Sequence, residues 1–158
     1  MFNKILAIAI IFFVAGCAMQ PFSPVETAEV VDVPNMKQQE IYNKARQWFS
    51  EYFVSGESVI DYESVETGTI IGNGIALIGS DPFGIIQYKI HYNLRIDTKD
   101  GRFRTNTKII KHTNTDSSST YTANMVTEER SAKALEHVNA LVADIARYVG
   151  DVSHDENW

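Results

Sequence analysis

The side chains able to serve as ligands, bases or nucleophiles are few and scattered. Four histidines, His91, His112, His137 and His154, show no ligand spacing such as HExxH. If the register of a turn at Asp100-Gly101 carries along its strands, His112 faces Lys89 and lies diagonal to His91. Two imidazoles beside a lysine fall short of the four protein ligands of a closed zinc site, so they read as solvated strand residues and no metal is expected. Ser80-Asp81 has no GxSxG elbow around it and no histidine placed to activate it. Asp61 and Glu63 have the types for acid-base work, yet on an alternating strand they read as surface charges. The glycine stretches "GNG" (72–74) and "GSDPFG" (79–84) lack the spacing of a phosphate loop and open no helix. Gly72 and Gly74 share one strand face, which suits close approach of a helix backbone or a bulge. Trp48, Phe49, Tyr52 and Phe53 continue a helix's apolar face and read as core, with Phe53 partly exposed. With no activated constellation, the expectation is a protein that is not an enzyme and needs no cofactor.

Cys17 is the only cysteine, and its surroundings give it a chemistry. Lys4 and the apolar run Ile5 to Val14 read as a secretory signal over residues 1–16, and the run is shorter than the roughly 20 residues of a spanning helix. "VAGC", Val14 to Cys17, resembles the lipobox of bacterial lipoproteins, which implies a thioether-linked diacylglycerol on Cys17, cleavage before it, and acylation of the new N-terminus. Several acyl chains, at about 0.8 kcal/mol per buried CH₂, hold a protein firmly where one is reversible. Ala18 resembles the sorting signal for the outer membrane in a Gram-negative cell. No second cysteine exists for a bridge, so the fold stands on its core.

The 158 residues carry a formal net charge of −6 and are 44% apolar, enough for one domain with a real core. The acidic balance disfavours a general attraction to nucleic acid. Locally the sign inverts: residues 85–112 hold seven Lys or Arg against two Asp, while the rest of the chain from Cys17 holds six against eighteen Asp or Glu. In the alternating stretch 85–98, Tyr88, Ile90, Tyr92, Leu94 and Ile96 face one way, leaving Lys89, His91 and Arg95 on the other. A two-residue turn pairs Lys99 with Arg102, Asp97 with Arg104, Arg95 with Asn106 and Asn93 with Lys108. Lys89, His91, Arg95, Arg102, Arg104 and Lys108 therefore form the candidate binding face. It suits an anionic or protein partner, or else simple pairing with a neighbouring strand carrying Asp61 and Glu63.

The elements that position this face follow from periodicity. Residues 17–27 read as a lipid-bearing tether, residues 28–150 as a single α+β domain and 151–158 as an acidic tail. Within the domain, a strand at Glu29 to Val33 precedes a helix capped by Asn35 with Gln38 as its reciprocal partner, apolar at Ile41, Ala45, Trp48, Phe49 and Tyr52 and stopped by Ser55-Gly56. Strands follow at 58–64, 68–78, 85–98 and 102–112, then a polar loop at 113–120. A second helix spans Glu128 to Val149, with Gly150 as its stop.

The order strand, helix, four strands, helix resembles an uncharacterised bacterial envelope domain, a domain of unknown function with a TATA-box-binding-protein-like fold, over about residues 28–149. "IYNKARQWF", "GTIIGNG" and "YNLRIDTKDGRFR" carry the likeness. It implies an antiparallel sheet with two helices on one face and carries over no catalytic residue. The expected protein is a lipid-anchored envelope lipoprotein, periplasm-facing on the outer membrane of a Gram-negative cell. Its domain is expected to bind or scaffold an envelope protein or anionic component. An enzyme of unrecognised type and a receptor-blocking structural protein are the competing expectations.

Overall fold

In the computed structural model the described residues are 19–53 and 59–150. The 1–16 leader, Cys17, the Ser55-Gly56 stop, His154 and the 151–158 tail lie outside them. Strands β1 (Met19–Pro21) and β2 (Val25–Asp32) lead into helix α1 (Gln38–Tyr52). Then come β3 (Val59–Ser64), β4 (Thr69–Ser80), β5 (Gln87–Lys99), β6 (Arg102–Thr115), β7 (Thr120–Thr122), β8 (Met125–Thr127) and helix α2 (Glu128–Gly150). The main sheet is antiparallel in the order β2-β6-β5-β4-β3, with β7 on the end of β6, and β1 pairs with β8 in a separate ribbon.

Alternation builds the core. Ile90, Tyr92, Leu94 and Ile96 of β5 and Phe103, Thr105, Thr107 and Ile109 of β6 are all buried, as period-2 patterning on a sheet with one covered face requires. Both helices pack on that face. α1 contributes Ile41, Tyr42, Ala45, Trp48 and Phe49, and α2 contributes Ala134, Val138, Leu141, Val142, Ile145 and Val149. The indole Nε1–H of Trp48 donates to Asp144 at 2.9 Å, tying the two helices together.

Several local expectations are corrected. Met19–Pro21 and the first residues of β2 are paired strand rather than tether: Met19 lies opposite Thr127, and Val25 opposite Ile109. The prolines that argue for a tether remove no ladder bond of a central strand: Pro21 ends β1 in the two-stranded ribbon, and Pro24 precedes β2, the edge of the main sheet. The 113–120 loop shrinks to a turn, because β6 runs on to Thr115 and β7 pairs back onto it. Gly150 is the last residue of α2 rather than its stop.

Nor does Asn35 cap α1; it takes a left-handed φ of 72° in the connection from β2. The helix begins after Lys37, and its orphan Gln38 N–H donates to the Asp100 carboxylate at 2.8 Å. That bond, with Lys37 alongside, holds the Asp100 carboxyl below its usual range. The Gly101 N–H donates to the Met36 carbonyl, and Val33 N–H to the Gly101 carbonyl, both at 2.9 Å. The Asp100-Gly101 turn thus closes a hairpin and caps a helix 62 residues away in sequence.

Candidate functional site

The face opposite the helices carries no covering element among the described residues. The observed pairs Lys99 with Arg102, Asp97 with Arg104, Arg95 with Asn106 and Asn93 with Lys108 are the ones the turn dictates. All six candidate residues, Lys89, His91, Arg95, Arg102, Arg104 and Lys108, accordingly lie on strands β5 and β6, on the side away from the helices.

Beyond Tyr92 the register changes. Tyr92 pairs with Ile109 but His91 pairs with Lys111, so Ile110 is extra and β6 bulges. The slip turns His112 to the core side, opposite Ile90. There it is 3% exposed and stands edge-on to Phe22 at 5.0 Å between ring centres. Burial, reinforced by Arg130, pushes its pKa down. The expected diagonal of His91 and His112 therefore does not exist. His91 instead meets the Thr113 hydroxyl at 3.2 Å. His137 is a third separate case: its pKa is lowered by burial, and its Nε2 finds no hydrogen-bond partner among the described residues. Among the described residues no three His, Cys, Asp or Glu are grouped to hold a metal ion.

The carboxylate partner of the basic face is not the expected one. Glu63 lies at the far edge, on β3, where it takes Arg46 of α1 at 2.8 Å. A bulge at Ile60/Tyr62 separates Asp61 from that alternation. The charge among the hairpin's arginines is Asp97, which receives Arg95 at 2.8 Å, Arg104 at 2.9 Å and the Thr69 hydroxyl at 3.0 Å. Burial alone would raise its carboxyl. The bonds from Arg95, Arg104 and Thr69 more than reverse this and hold it down to about 2. The strand beside β6 is β2, whose Glu26 and Asp32 lie opposite Lys108 and Arg102; Glu26 accepts from Asn106 at 2.7 Å.

Asp97 also floors a shallow recess of about 210 Å³, lined by Val30, Asp97, Lys99, Arg102, Phe103 and Arg104. Its rim is cationic, while the one carboxylate inside is already engaged by two guanidinium groups. The chemistry on offer is capture of an anionic group at the surface; the recess presents no nucleophile beside a base. The periodicity of β5 and β6 gives Arg102 and Arg104 of the rim in advance, while Lys99 is not among the candidate residues. Val30 is missed, because the pairing of β2 with β6 spans some 75 residues and leaves no local signal.

Asp97 makes a pH prediction. Its folded pKa of about 2 lies below the ordinary value of 3.8, so the native state is stabilised above pH 4 and loses that contribution as pH falls from about 4 towards 2. Asp97→Asn should remove about 2 kcal/mol at pH 7 and flatten the stability curve through that window. Urea midpoints at pH 7 and pH 2.5 check it; an unchanged slope between them would assign the acid sensitivity elsewhere.

Residues 28–113 match the family model described as a domain of unknown function (DUF4468) with TBP-like fold. The chain is similar to the crystal structure of a DUF4468 family protein from Bacteroides ovatus, with 18% identity and a TM-score of 0.65 over 87% of this chain and 92% of that one. It is also similar to a TBP-like protein from Parabacteroides distasonis, with 16% identity and a TM-score of 0.62 over 81% and 94% of the two chains. At these identities the likeness is one of fold. No curated protein is significantly similar in sequence.

Proposed function

The chain belongs to the family of domains of unknown function (DUF4468) with TBP-like fold, and from that premise, which fixes a fold and no activity, we propose that it is a lipid-anchored envelope protein whose domain is a non-catalytic docking module. The anchor is Cys17, supported by the apolar leader and the "VAGC" sequence. The placement that follows is the periplasmic face of the outer membrane. Docking takes place on the open sheet face. The single observation that carries this is the cationic recess at the hairpin end, whose lining places Lys99, Arg102 and Arg104 around one mouth in an otherwise acidic molecule. Local charge of one sign on a face with no covering element attracts an anionic partner and orients its approach.

A photo-crosslinking residue at position 102, with a control at Gln47 on the exposed face of α1, tests the proposal in cells. A discrete adduct is expected from position 102 alone. It should fall about tenfold when Arg104→Glu and Lys108→Glu are combined, most steeply at low salt. Equal adducts from both positions, or an adduct indifferent to the reversed charges, would remove the basic face from the function.

A further inference from the structure

Met19, the first described residue, is already in β1 and pairs with Thr127. Cys17 precedes it by two residues, and two residues span at most about 7 Å. On the reading that Cys17 is acylated, on which this inference rests, the acyl chains leave the protein directly at the folded domain with no spacer. What surrounds that point must then meet the lipid.

Thr127 lines a recess together with Ile78, Pro82 and Tyr88 and the charged Glu129, Arg130 and Lys133, so the start of the β4–β5 connection stands beside the strand that pairs with Met19. That connection runs from residue 81 to 86, and beyond Asp81 its residues 82–86, "PFGII", are uncharged. Phe83 is 85% exposed and Ile85 65%, the two most exposed large hydrophobic residues among those described. Most of the turn's backbone donors are bonded within it. The Asp81 carboxylate accepts the Ile86 N–H at 2.7 Å and the Phe83 N–H at 3.4 Å. Asp81 N–H donates to the Ile86 carbonyl at 2.9 Å, and Gly84 N–H to the Asp81 carbonyl at 3.0 Å, with Gly84 at a left-handed φ of 70°. With four of its five backbone donors bonded inward, all but the Ile85 N–H, and two apolar side chains exposed, the turn has met most of the cost of entering a low-dielectric layer, where an unpaired donor is costly.

We propose that this turn is a membrane seat: Phe83 and Ile85 enter the interfacial layer of the phospholipid leaflet that holds the acylated Cys17. The partner is a lipid surface, selected by the proximity of the anchor and by the uncharged tip of the turn, whose one carboxylate, Asp81, is engaged by the Ile86 and Phe83 N–H groups. The seat also orients the molecule. β5 starts beside the turn at Gln87 and ends at Lys99, and 13 residues of strand extend up to about 40 Å. The cationic recess therefore stands at the end away from the membrane, open to a partner in the periplasm.

The test uses the full lipoprotein in vesicles of phosphatidylethanolamine and phosphatidylcholine, a surface without net charge, so that polybasic attraction contributes little. Acylation consumes the Cys17 sulfur, so an introduced cysteine is the sole free thiol. Ile85→Cys and, as control, Lys99→Cys are each labelled with an environment-sensitive fluorophore. The label at 85 should be quenched several-fold more by a nitroxide-bearing lipid than by aqueous iodide, the label at 99 the reverse, and adding Phe83→Asp should return position 85 to water. If iodide reaches 85 as freely as 99, the seat is wrong while the anchor stands. A label screened from iodide yet untouched by the lipid nitroxide means that protein covers the turn, which also overturns the seat. An N-terminal peptide mass without diacylglyceryl would overturn the anchor, and the seat with it.

Discussion

Trp48→Ala should lower the unfolding free energy by about 3–5 kcal/mol, a large part of the 5–15 kcal/mol on which a domain of this size typically stands. Trp48 is 2% exposed. Its ring stacks on Tyr52 at 4.8 Å and meets Phe49 and Phe53 edge-on at 5.4 Å and 5.9 Å. Truncation opens a cavity where four aromatic rings converge, and it strips the Asp144 carboxylate of the indole donor that joins α1 to α2. Asp144 keeps Arg147 as its partner, so the loss is dominated by the cavity. Trp48→Phe retains most ring contacts and should cost about 1–2 kcal/mol, the share of the lost hydrogen bond and indole edge. Chemical denaturation followed by far-ultraviolet circular dichroism separates the two, since tryptophan fluorescence changes with the substitution itself. Equal losses for alanine and phenylalanine would mean that the bond to Asp144, rather than packing, holds the helices together.

The two aromatic residues at the end of α1 also show where reading the sequence succeeds. Helical spacing places Trp48 and Phe49 in the core, and both are there; Tyr52, in the same spacing, is 40% exposed because the helix ends beside it. The β5–β6 register is legible because a two-residue turn fixes every pair after it until an extra residue intervenes. That residue, Ile110, has one weak signal, the consecutive pair Ile109-Ile110 in a stretch that otherwise alternates. Taking the alternation through it puts His112 on the wrong face. The capping of α1 was illegible for a different reason. Local rules favour Asn35, three residues before Gln38, whereas the acceptor that reaches the helix is Asp100, brought in by the fold. Sheet order is the same kind of quantity. Nothing near Glu26 or Val30 in sequence announces that β2 flanks the basic strand, so the pairing within the hairpin is legible and its acidic neighbour is not.

Gly74→Val should cost about 3 kcal/mol, although valine is the better strand former. Gly74 lies opposite Tyr92 in the β4–β5 ladder, on the helix-covered side. A Cβ there would fall within contact distance of Tyr92 Cζ and Oη and at 2.9 Å from Phe53 Cε1. The close approach at Gly74 is therefore by an aromatic side chain, where a helix backbone or a bulge is the expectation. Tyr92 is buried beneath α1 and next to His137, with ring centres 5.8 Å apart, so it cannot swing out of the way. Burial also pushes its phenol pKa up, keeping the hydroxyl neutral across the physiological range. Gly74→Ala should cost about 2 kcal/mol, and pairing it with Tyr92→Leu should recover part of that, with a coupling of about 1 kcal/mol. Gly150→Ala is the control, since nothing lies within 4 Å of its added methyl; at the end of a helix it should be neutral or slightly stabilising. A double-mutant cycle that closes additively would show that Gly74 is required by the backbone. A coupled cycle would locate the requirement in the Tyr92 ring, which fills the space between sheet and helices.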